Sequence, residues 1–192
     1  ICQMKRISLD TPEIIKATCD VLSQGNVVVY PTDTLYGFGG DATNGTAIRK
    51  INQIKGRTAP LSVLAPDRST ALSWMKLTED EKILVSKKLG GAATVIVPVF
   101  KDIVHSLITG DHNTLGIRIP YHSFCQQLAR KFGGPITTTS VNRTGDSPMT
   151  DPNHIYSEFK HEVDLLIDDG IISGRGSAIY IYKHGKLKTM RS

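Results

Sequence analysis

The chain has 192 residues, of which 40% are hydrophobic and 21% charged, a composition that can bury a core and favours one domain spanning residues 1–192. Its 23 lysines and arginines exceed its 18 acidic residues, so the formal net charge of +5 favours anionic partners such as nucleotides or RNA without requiring either. Three widely spaced cysteines argue against a disulfide framework, and no segment resembles a membrane span or a signal peptide. The sequence therefore predicts a cytoplasmic protein without a membrane partner, and the methionine at position 4 leaves the natural start of the chain open.

The first residues predict a strand, a helix and a second strand. The first strand covers about Lys5 to Leu9, and Asp10 to Glu13 then has the pattern of a helix start, with a capping box and a proline in the first turn. This helix should end near Gly25. One of its faces would carry Ile15, Cys19 and Leu22. The apolar run from Val27 to Tyr30 predicts a buried strand.

The segment YPTDTLYGFGG, from Tyr30 to Gly40, is unusual for the end of a strand. It combines two threonines, an aspartate and three glycines, whereas a strand end usually needs one or two turn residues. Hydroxyl groups and flexible glycines together favour a loop that surrounds a ligand. Taken alone, the segment is explained about as well by a long polar turn.

The middle of the chain continues the alternation of helices and strands. A helix is predicted over residues 47–54 and a buried strand from Leu61 to Ala65. Two helical stretches follow, the second opened by a capping box at Thr78 to Glu81 and closed by Gly90 and Gly91.

The second half of the chain predicts mainly strands. TVIVPV, LGIRIP and PITTTS have strand patterns, and SFCQQLARKFGG is typical of a helix that ends on glycine. VDLLIDDG, SAIYIY and KLKTM predict strands near a sheet edge. The fold class is therefore α/β, an open twisted mixed sheet with flanking helices.

Four polar clusters follow apolar strands or helices, and they carry the functional signal. In open α/β sheets ligands bind outside the strand ends, so these clusters would meet in one cleft if their strands are neighbours. The clusters are Thr32 to Thr34, Lys55 to Arg57, Arg118, and Thr138 to Asn142.

Each cluster also has a purely structural explanation. Lys55 and Arg57 suit phosphate or carboxylate oxygens, but cations are also favoured at a helix C-terminus. Arg118 lies in an apolar strand, so it either faces solvent, the commoner outcome, or is buried with an anionic partner. Ser140 and Asn142 can present a hydroxyl and an amide to a nucleotide, or they can form ordinary turns after a strand.

Other chemical motifs are weak or absent in the sequence. There is no G-x-x-x-x-G-K-[ST] P-loop, and no Ser-His-Asp triad is singled out. The six histidines show neither metal-ligand spacing nor pairing with cysteines, so no side chain is predicted to bind a metal. ISGRGSA is rich in glycine but too short to indicate phosphate binding by itself.

In the order of its motifs the sequence resembles the YrdC-like threonylcarbamoyl-AMP synthases over nearly its whole length. The resemblance rests on VVVYPTDTLYGFGGDA, IKGR followed by PLSVL, GIRIP, TTTSVNRTG and the terminal MRS. It implies a YrdC-like (RibB-like) fold in the short, single-domain form. The resemblance ends where longer members of the family begin a second domain.

The resemblance also implies a reaction. Members of the family act as nucleotidyltransferases that combine L-threonine, bicarbonate or CO2, and ATP with Mg²⁺ into threonylcarbamoyl-AMP and pyrophosphate. A carbamate formed on threonine attacks the α-phosphorus of ATP, and a transferase partner then modifies tRNA. Such chemistry needs cations and positioned donors more than a nucleophilic side chain.

The same resemblance assigns residue roles by motif. The catalytic K-x-R and S-x-N tetrad around ATP would be Lys55, Arg57, Ser140 and Asn142. The rest of the ATP site would comprise Thr114, Pro148 and Arg191. The threonine site would comprise Thr32, Thr34, Tyr36, Arg118 and Thr138.

The sequence departs from the family pattern at four places, and two other functions stay open. KGRTAPL is two residues shorter than usual, Leu64 replaces a frequent histidine, GGAAT replaces P-G-P-x-T, and Ser177 is followed by alanine rather than threonine. One alternative is a non-catalytic family member that binds double-stranded RNA or tRNA. A less favoured one is a carbamoyl-adenylate-forming domain like that of hydrogenase maturation proteins. The complete tetrad favours the enzyme, because binding a phosphate backbone needs no S-x-N pair.

Overall fold

The strands of the protein form one mixed sheet. The structure is a computed structural model that describes residues 3–192. Its strands are β1 (Lys5–Ser8), β2 (Val28–Tyr30), β3 (Gly37–Gly39), β4 (Ser62–Leu64), β5 (Ala93–Pro98), β6 (Thr114–Arg118), β7 (Ile136–Ser140), β8 (Leu165–Asp168), β9 (Ala178–Lys183) and β10 (Lys186–Arg191). Within these residues the strand order is β1-β8-β2-β3-β7-β4-β6-β5-β9-β10, with four parallel and five antiparallel pairs. The predicted α/β class with an open mixed sheet is confirmed.

Helices flank both faces of this sheet. They are α1 (Ile14–Ser23), α2 (Gly45–Lys55), α3 (Arg68–Trp74), α4 (Glu79–Ser86), α5 (Ser123–Phe132) and α6 (Pro152–Phe159), with short 3₁₀ turns at Ser106–Ile108 and Asp111–Asn113. The apolar residues of α1 and α5 belong to one core cluster, and those of α2, α3, α4 and α6 to the other. In β2, Val29 joins one cluster whereas Val28 and Tyr30 join the other, because successive side chains leave a strand on opposite faces. The strand is therefore apolar throughout, as the sequence predicts.

The predicted start of α4 and the predicted end of α5 are confirmed. Thr78 and Glu81 form a complete capping box at the start of α4, in which each side chain accepts a hydrogen bond from the backbone N–H of the other residue. Helix α5 ends on Gly133, which has a φ of 76°. Gly90 and Gly91 do not close α4, however, because that helix already ends at Ser86.

The predicted start of α1 is wrong. Asp10 lies in a separate turn, closed by a 3.0 Å hydrogen bond from the backbone N–H of Thr11 to the carbonyl of Ser8. The helix begins only after Glu13, whose φ is 62° and whose side chain makes no capping hydrogen bond. The residues with the capping-box pattern thus lie before the helix rather than at its start. Its fully buried face is also shifted, because it comprises Ile14, Thr18 and Leu22.

Two elements were not predicted from the sequence. Strand β3 lies inside the loop expected around a ligand, where Phe38 and its flanking glycines pair with both β2 and β7. Helix α6 starts at Pro152 after Asp151, whose side chain accepts from the backbone N–H of Asn153. Of the three C-terminal strands, β9 and β10 lie at one edge of the sheet, but β8 lies between β1 and β2 near the opposite edge.

The described residues show no helix with the length and apolar character that crossing a bilayer requires. Cys19 and Cys125 are free thiols. The third cysteine, Cys2, lies outside the described residues, as does the first residue of the chain.

Candidate active site

A cavity of about 910 Å³ opens on one face of the sheet. Its floor is a row of residues that lie side by side on five adjacent strands, namely Thr138, Ser62, Gly116, Ile96 and Ile181. A Cβ on Gly116 would lie 2.4 Å from the Ser62 Oγ, so glycine keeps this floor open. Helices α1 and α5 cover the same face further along the sheet, because Leu64, two residues beyond Ser62, packs in their cluster.

The loop from Tyr30 to Gly40 turns around Thr32. The Thr32 Oγ1 accepts from the backbone N–H groups of Thr34 (3.1 Å) and Leu35 (3.2 Å) and donates to the Leu35 carbonyl at 2.6 Å. These bonds form a tight hydroxyl-centred turn. Thr34 and Tyr36 line the cavity after this turn, whereas Thr32 does not line it.

Tyr36 joins this loop to the segment that connects β8 and β9, residues 169–177, called the β8–β9 segment below. Its hydroxyl donates to the carbonyl of Gly170 at 2.7 Å and accepts from the backbone N–H of Asp169 at 2.9 Å. Burial raises the pKa of the phenol to about 12, so it stays protonated at neutral pH. The segment also touches the loop directly, because Gly174 packs against the carbonyl of Thr34.

Lys55, Ser140 and Asn142 form one hydrogen-bonded cluster. The Lys55 Nζ donates to the carbonyls of Ser140 (2.7 Å) and Asn142 (3.1 Å) and to the Asn142 Oδ1 (3.3 Å). The Ser140 Oγ donates to the same Oδ1 at 2.6 Å. Lys55 is only 2% exposed, and neither Lys55 nor Asn142 lines the cavity. Ser140 and the exposed Arg57 do line it, so they are the tetrad members that face the cavity.

The ammonium of Lys55 has an unusual proton affinity. Burial, with a smaller effect of the Arg57 charge, lowers its pKa from 10.5 to about 8. Because the unfolded state keeps this proton to higher pH, the contribution of Lys55 to the free energy of unfolding rises with pH between about 8 and 10.5. In NMR spectra of protein labelled with ¹³Cε-lysine, we expect the signal that disappears in Lys55→Met to titrate near pH 8. A midpoint above pH 10, typical of surface lysines, would contradict this expectation.

Arg118 is buried rather than exposed to solvent, which decides between its two sequence-based explanations. The whole residue is 6% exposed, and its Nη2 donates to the Oδ1 of Asp33 at 2.7 Å. Its Nε has no hydrogen-bond partner among the described residues. Arg118 lines the cavity together with Thr138. A largely buried cation that lines a cavity wall suits an anionic ligand.

Thr114, Pro148 and Arg191 also line the cavity. The Arg191 side chain donates through Nε (3.0 Å) and Nη2 (2.7 Å) to the carbonyl of Ser177. The Ser177 Oγ lies 2.7 Å from the Oγ1 of Thr94, so the end of the β8–β9 segment is fixed from two sides. Apolar side chains of the floor, Ile96 and Ile181, complete a surface suited to a flat ring.

Comparison with known proteins adds to this geometry. Residues 20–192 match the Sua5/YciO/YrdC family model, which carries the description "Telomere recombination". The chain belongs to the Sua5/YciO/YrdC family. It is 30% identical over 148 residues to the threonylcarbamoyl-AMP synthase of Idiomarina loihiensis, across 74% of this chain and 79% of that protein. It is 32% identical over 167 residues to the threonylcarbamoyl-AMP synthase of Bacillus subtilis, across 85% of this chain and 48% of that protein.

A solved structure of the same family has the same fold. Sua5 from P. abyssi in complex with L-threonine matches with a TM-score of 0.86 at 24% identity, over 98% of this chain and 56% of that chain. The predicted family and fold are thus confirmed. The chain spans about half the length of the Bacillus and P. abyssi proteins, and the assignment of residues 1–192 to one domain stays a prediction.

The structure brings most of the predicted site residues of this family member to one cavity. Those that line it are Thr34, Tyr36, Arg57, Thr114, Arg118, Thr138, Ser140, Pro148 and Arg191. Three do not line it. They are Lys55, Asn142 and Thr32, which hold neighbouring residues in place. The roles of all twelve stay predictions.

Several residues of the cavity were missed by sequence reasoning. Ser62 and Thr94 lie in strands whose neighbours in the sheet are distant in sequence, so no local signal marks them. Ser177 and the exposed Arg175 come from ISGRGSA, whose glycines gave a weak signal. Behind the cavity wall, Asp33 had the clearest signal, because it lies in the middle of the loop motif, yet only the structure shows its bond to Arg118.

Proposed function

We propose that this protein is an L-threonylcarbamoyladenylate synthase, a nucleotidyltransferase that converts L-threonine, bicarbonate or CO2, and ATP into threonylcarbamoyl-AMP and pyrophosphate. The observation that carries the proposal is a single cavity lined at one end by Thr34, Arg118 and Thr138 and along its length by Arg57 and Arg191. Two threonylcarbamoyl-AMP synthases at about 30% identity support it. The fold shared with threonine-bound Sua5 is compatible with it.

The geometry suggests how the substrates are arranged. The threonine carboxylate accepts hydrogen bonds from Arg118, and the Thr34 and Thr138 hydroxyls lie beside it for the substrate hydroxyl. Arg57 and Arg191 then offset the charge of the ATP phosphates, with the base against the apolar floor. Holding two anionic substrates in one geometry is the main task of the protein in such a reaction.

The chemical steps need no nucleophile from the protein. The threonine amine adds to CO2 and loses a proton, which gives a carbamate. A carbamate oxygen then attacks the α-phosphorus of ATP, the bond to the bridging oxygen breaks, and pyrophosphate leaves. Arg57 and the Ser140 hydroxyl, both on the cavity wall, would stabilise the negative charge that builds up on the phosphates.

The other components of the reaction are proposals too. No group of three or more His, Cys, Asp and Glu side chains in residues 3–192 is arranged to hold a metal ion. We propose that Mg²⁺ enters bound to the ATP phosphates, since it prefers phosphate and water ligands. Transfer of the product to tRNA by a separate transferase, and a cytoplasmic location, likewise stay predictions.

The test is pyrophosphate release by the purified protein with ATP and Mg²⁺, with and without threonine and bicarbonate. We expect release to require both co-substrates and to fall by about 100- to 1000-fold in Arg57→Ala, because one donor to the developing charge is lost. Arg49→Ala is the matched control, since Arg49 is exposed on α2 and does not line the cavity. A folded wild-type protein that binds double-stranded RNA but releases no pyrophosphate would overturn the proposal in favour of the RNA-binding alternative.

A further inference from the structure

Asp33 lies behind the wall of the cavity, in the loop that turns around Thr32. Its Oδ1 accepts from the Arg118 Nη2 at 2.7 Å, and its Oδ2 accepts from the backbone N–H of Tyr121 at 2.9 Å. Its neighbour Thr34 lines the cavity but Asp33 does not. Both oxygens are thus used to connect the loop to the end of β6 and to the residues that lead into α5.

The pair is buried on both sides. The exposed fractions of the side chains are 7% for Arg118 and 14% for Asp33. A guanidinium in such an environment is costly unless an anion pairs with it, so Asp33 is what allows a cation at this place. Asp33 is contacted through Nη2 alone, and Arg118 still lines the cavity.

We infer that Asp33 is a positioning residue that fixes the Arg118 guanidinium for the carboxylate of the amino-acid substrate. The inference rests on the proposed function and adds to it a residue that never touches the substrate. Arginine recognises a carboxylate through directed hydrogen bonds, so the orientation of its plane matters as much as its charge. The hydrogen bond from the backbone N–H of Tyr121 holds Asp33 itself in place. The orientation of Arg118 therefore depends both on the loop that contains Asp33 and on the residues after β6.

Asp33→Asn is the sharpest substitution. It keeps the volume of the side chain but offers only one acceptor oxygen, and either orientation of the amide places an N–H₂ donor against the Arg118 or the Tyr121 donor. Asp67→Asn is the matched control, because Asp67 caps α3 through Thr70 and asparagine caps equally well.

The experiment measures binding of L-threonine and of L-threonine amide by calorimetry, together with ATP binding and the melting temperature. Wild type should prefer threonine to its amide. In Asp33→Asn we expect threonine affinity to fall at least tenfold, while affinities for the amide and for ATP change less than twofold. Asp67→Asn should match wild type.

The outcomes separate this inference from the proposed function. Equal losses for threonine and the amide, or unchanged threonine binding, would overturn the positioning role and leave the function standing. A wild type that does not bind threonine overturns the function itself. If Asp33→Asn does not fold, threonine binding is compared instead between Arg118→Met and the double variant Arg118→Met/Asp33→Asn. The double variant removes both charges and so leaves no unpaired buried ion. Equal threonine affinity in these two supports the inference, and a further loss in the double variant contradicts it.

Discussion

The Lys55→Met variant is expected to release pyrophosphate about 100-fold more slowly than wild type while remaining folded. Lys55 does not reach the cavity, but its Nζ holds the oxygens of Ser140 and Asn142. Without it the turn that presents the Ser140 hydroxyl loses its central donor. Methionine fills the space of the lysine stem but offers no hydrogen bond, so the loss should fall on kcat and on ATP affinity, with threonine affinity changed less than twofold.

The same substitution has a stability effect that can be measured separately. Three buried oxygens lose a donor, whereas a buried charge is also removed, so we expect the free energy of unfolding to fall by about 2–3 kcal/mol. Lys50→Met is the matched control, because Lys50 lies on the same helix and pairs with Asp164 away from the cavity. It should keep activity within twofold. Urea unfolding and steady-state kinetics give both quantities, and near-normal turnover in Lys55→Met would show that the cluster is not needed for activity.

The fold could be predicted from the sequence where local rules decide the structure. The run from Val27 to Tyr30 is apolar throughout, a pattern typical of a strand buried on both faces, and β2 covers Val28–Tyr30. The capping box at Thr78 is equally local. Strand β3 could not be predicted, because Gly37 and Gly39 have low strand propensity and the strand exists only through its partners on both sides.

In the candidate site, too, the features set by local sequence could be predicted and those set by strand pairing could not. Strand-end residues such as Thr34 and Ser140 could be predicted, because ligands bind at the ends of strands in open sheets. The floor could not, because Ser62 and Gly116 become neighbours only through a strand order that no local signal gives. The different burial of Lys55 and Arg57 could not be predicted either. The two cations are two residues apart, and which of them is buried depends on where helix α2 ends.

One departure from the family pattern has a physical explanation in the structure. Gly90 stands where the family usually has the first proline of P-G-P-x-T, and its φ is 126°. Proline fixes φ near −65°, so this backbone excludes it. The exposed ring of Tyr121 lies over both glycines, and a Cβ on Gly91 would lie 3.0 Å from that ring. The absence of proline at position 90 therefore goes together with the position of the Tyr121 ring in this structure.

The second large effect is expected at Gly174, where the β8–β9 segment crosses the loop. A Cβ on Gly174 would lie 1.6 Å from the carbonyl oxygen of Thr34 and 2.6 Å from its carbon, distances that no side chain tolerates. The hydroxyl of Thr32 holds that part of the loop in its turn, so the segment rather than the loop has to move. Arg175, next in the chain, lines the cavity and would move with it.

Gly174→Ala should therefore lower turnover by about 100-fold, since a displacement of about 1 Å at a reacting site can have an effect of that size. Residues 173–176 are exposed, so the free energy of unfolding should fall by no more than about 1 kcal/mol. Gly134→Ala is the control, because a Cβ there meets only the ring of Phe132, at 3.8 Å. If Gly174→Ala keeps wild-type kcat and KM, the segment is free to move aside during the reaction. A loss of turnover at unchanged stability shows instead that its contact with Thr34 sets the geometry of the cavity.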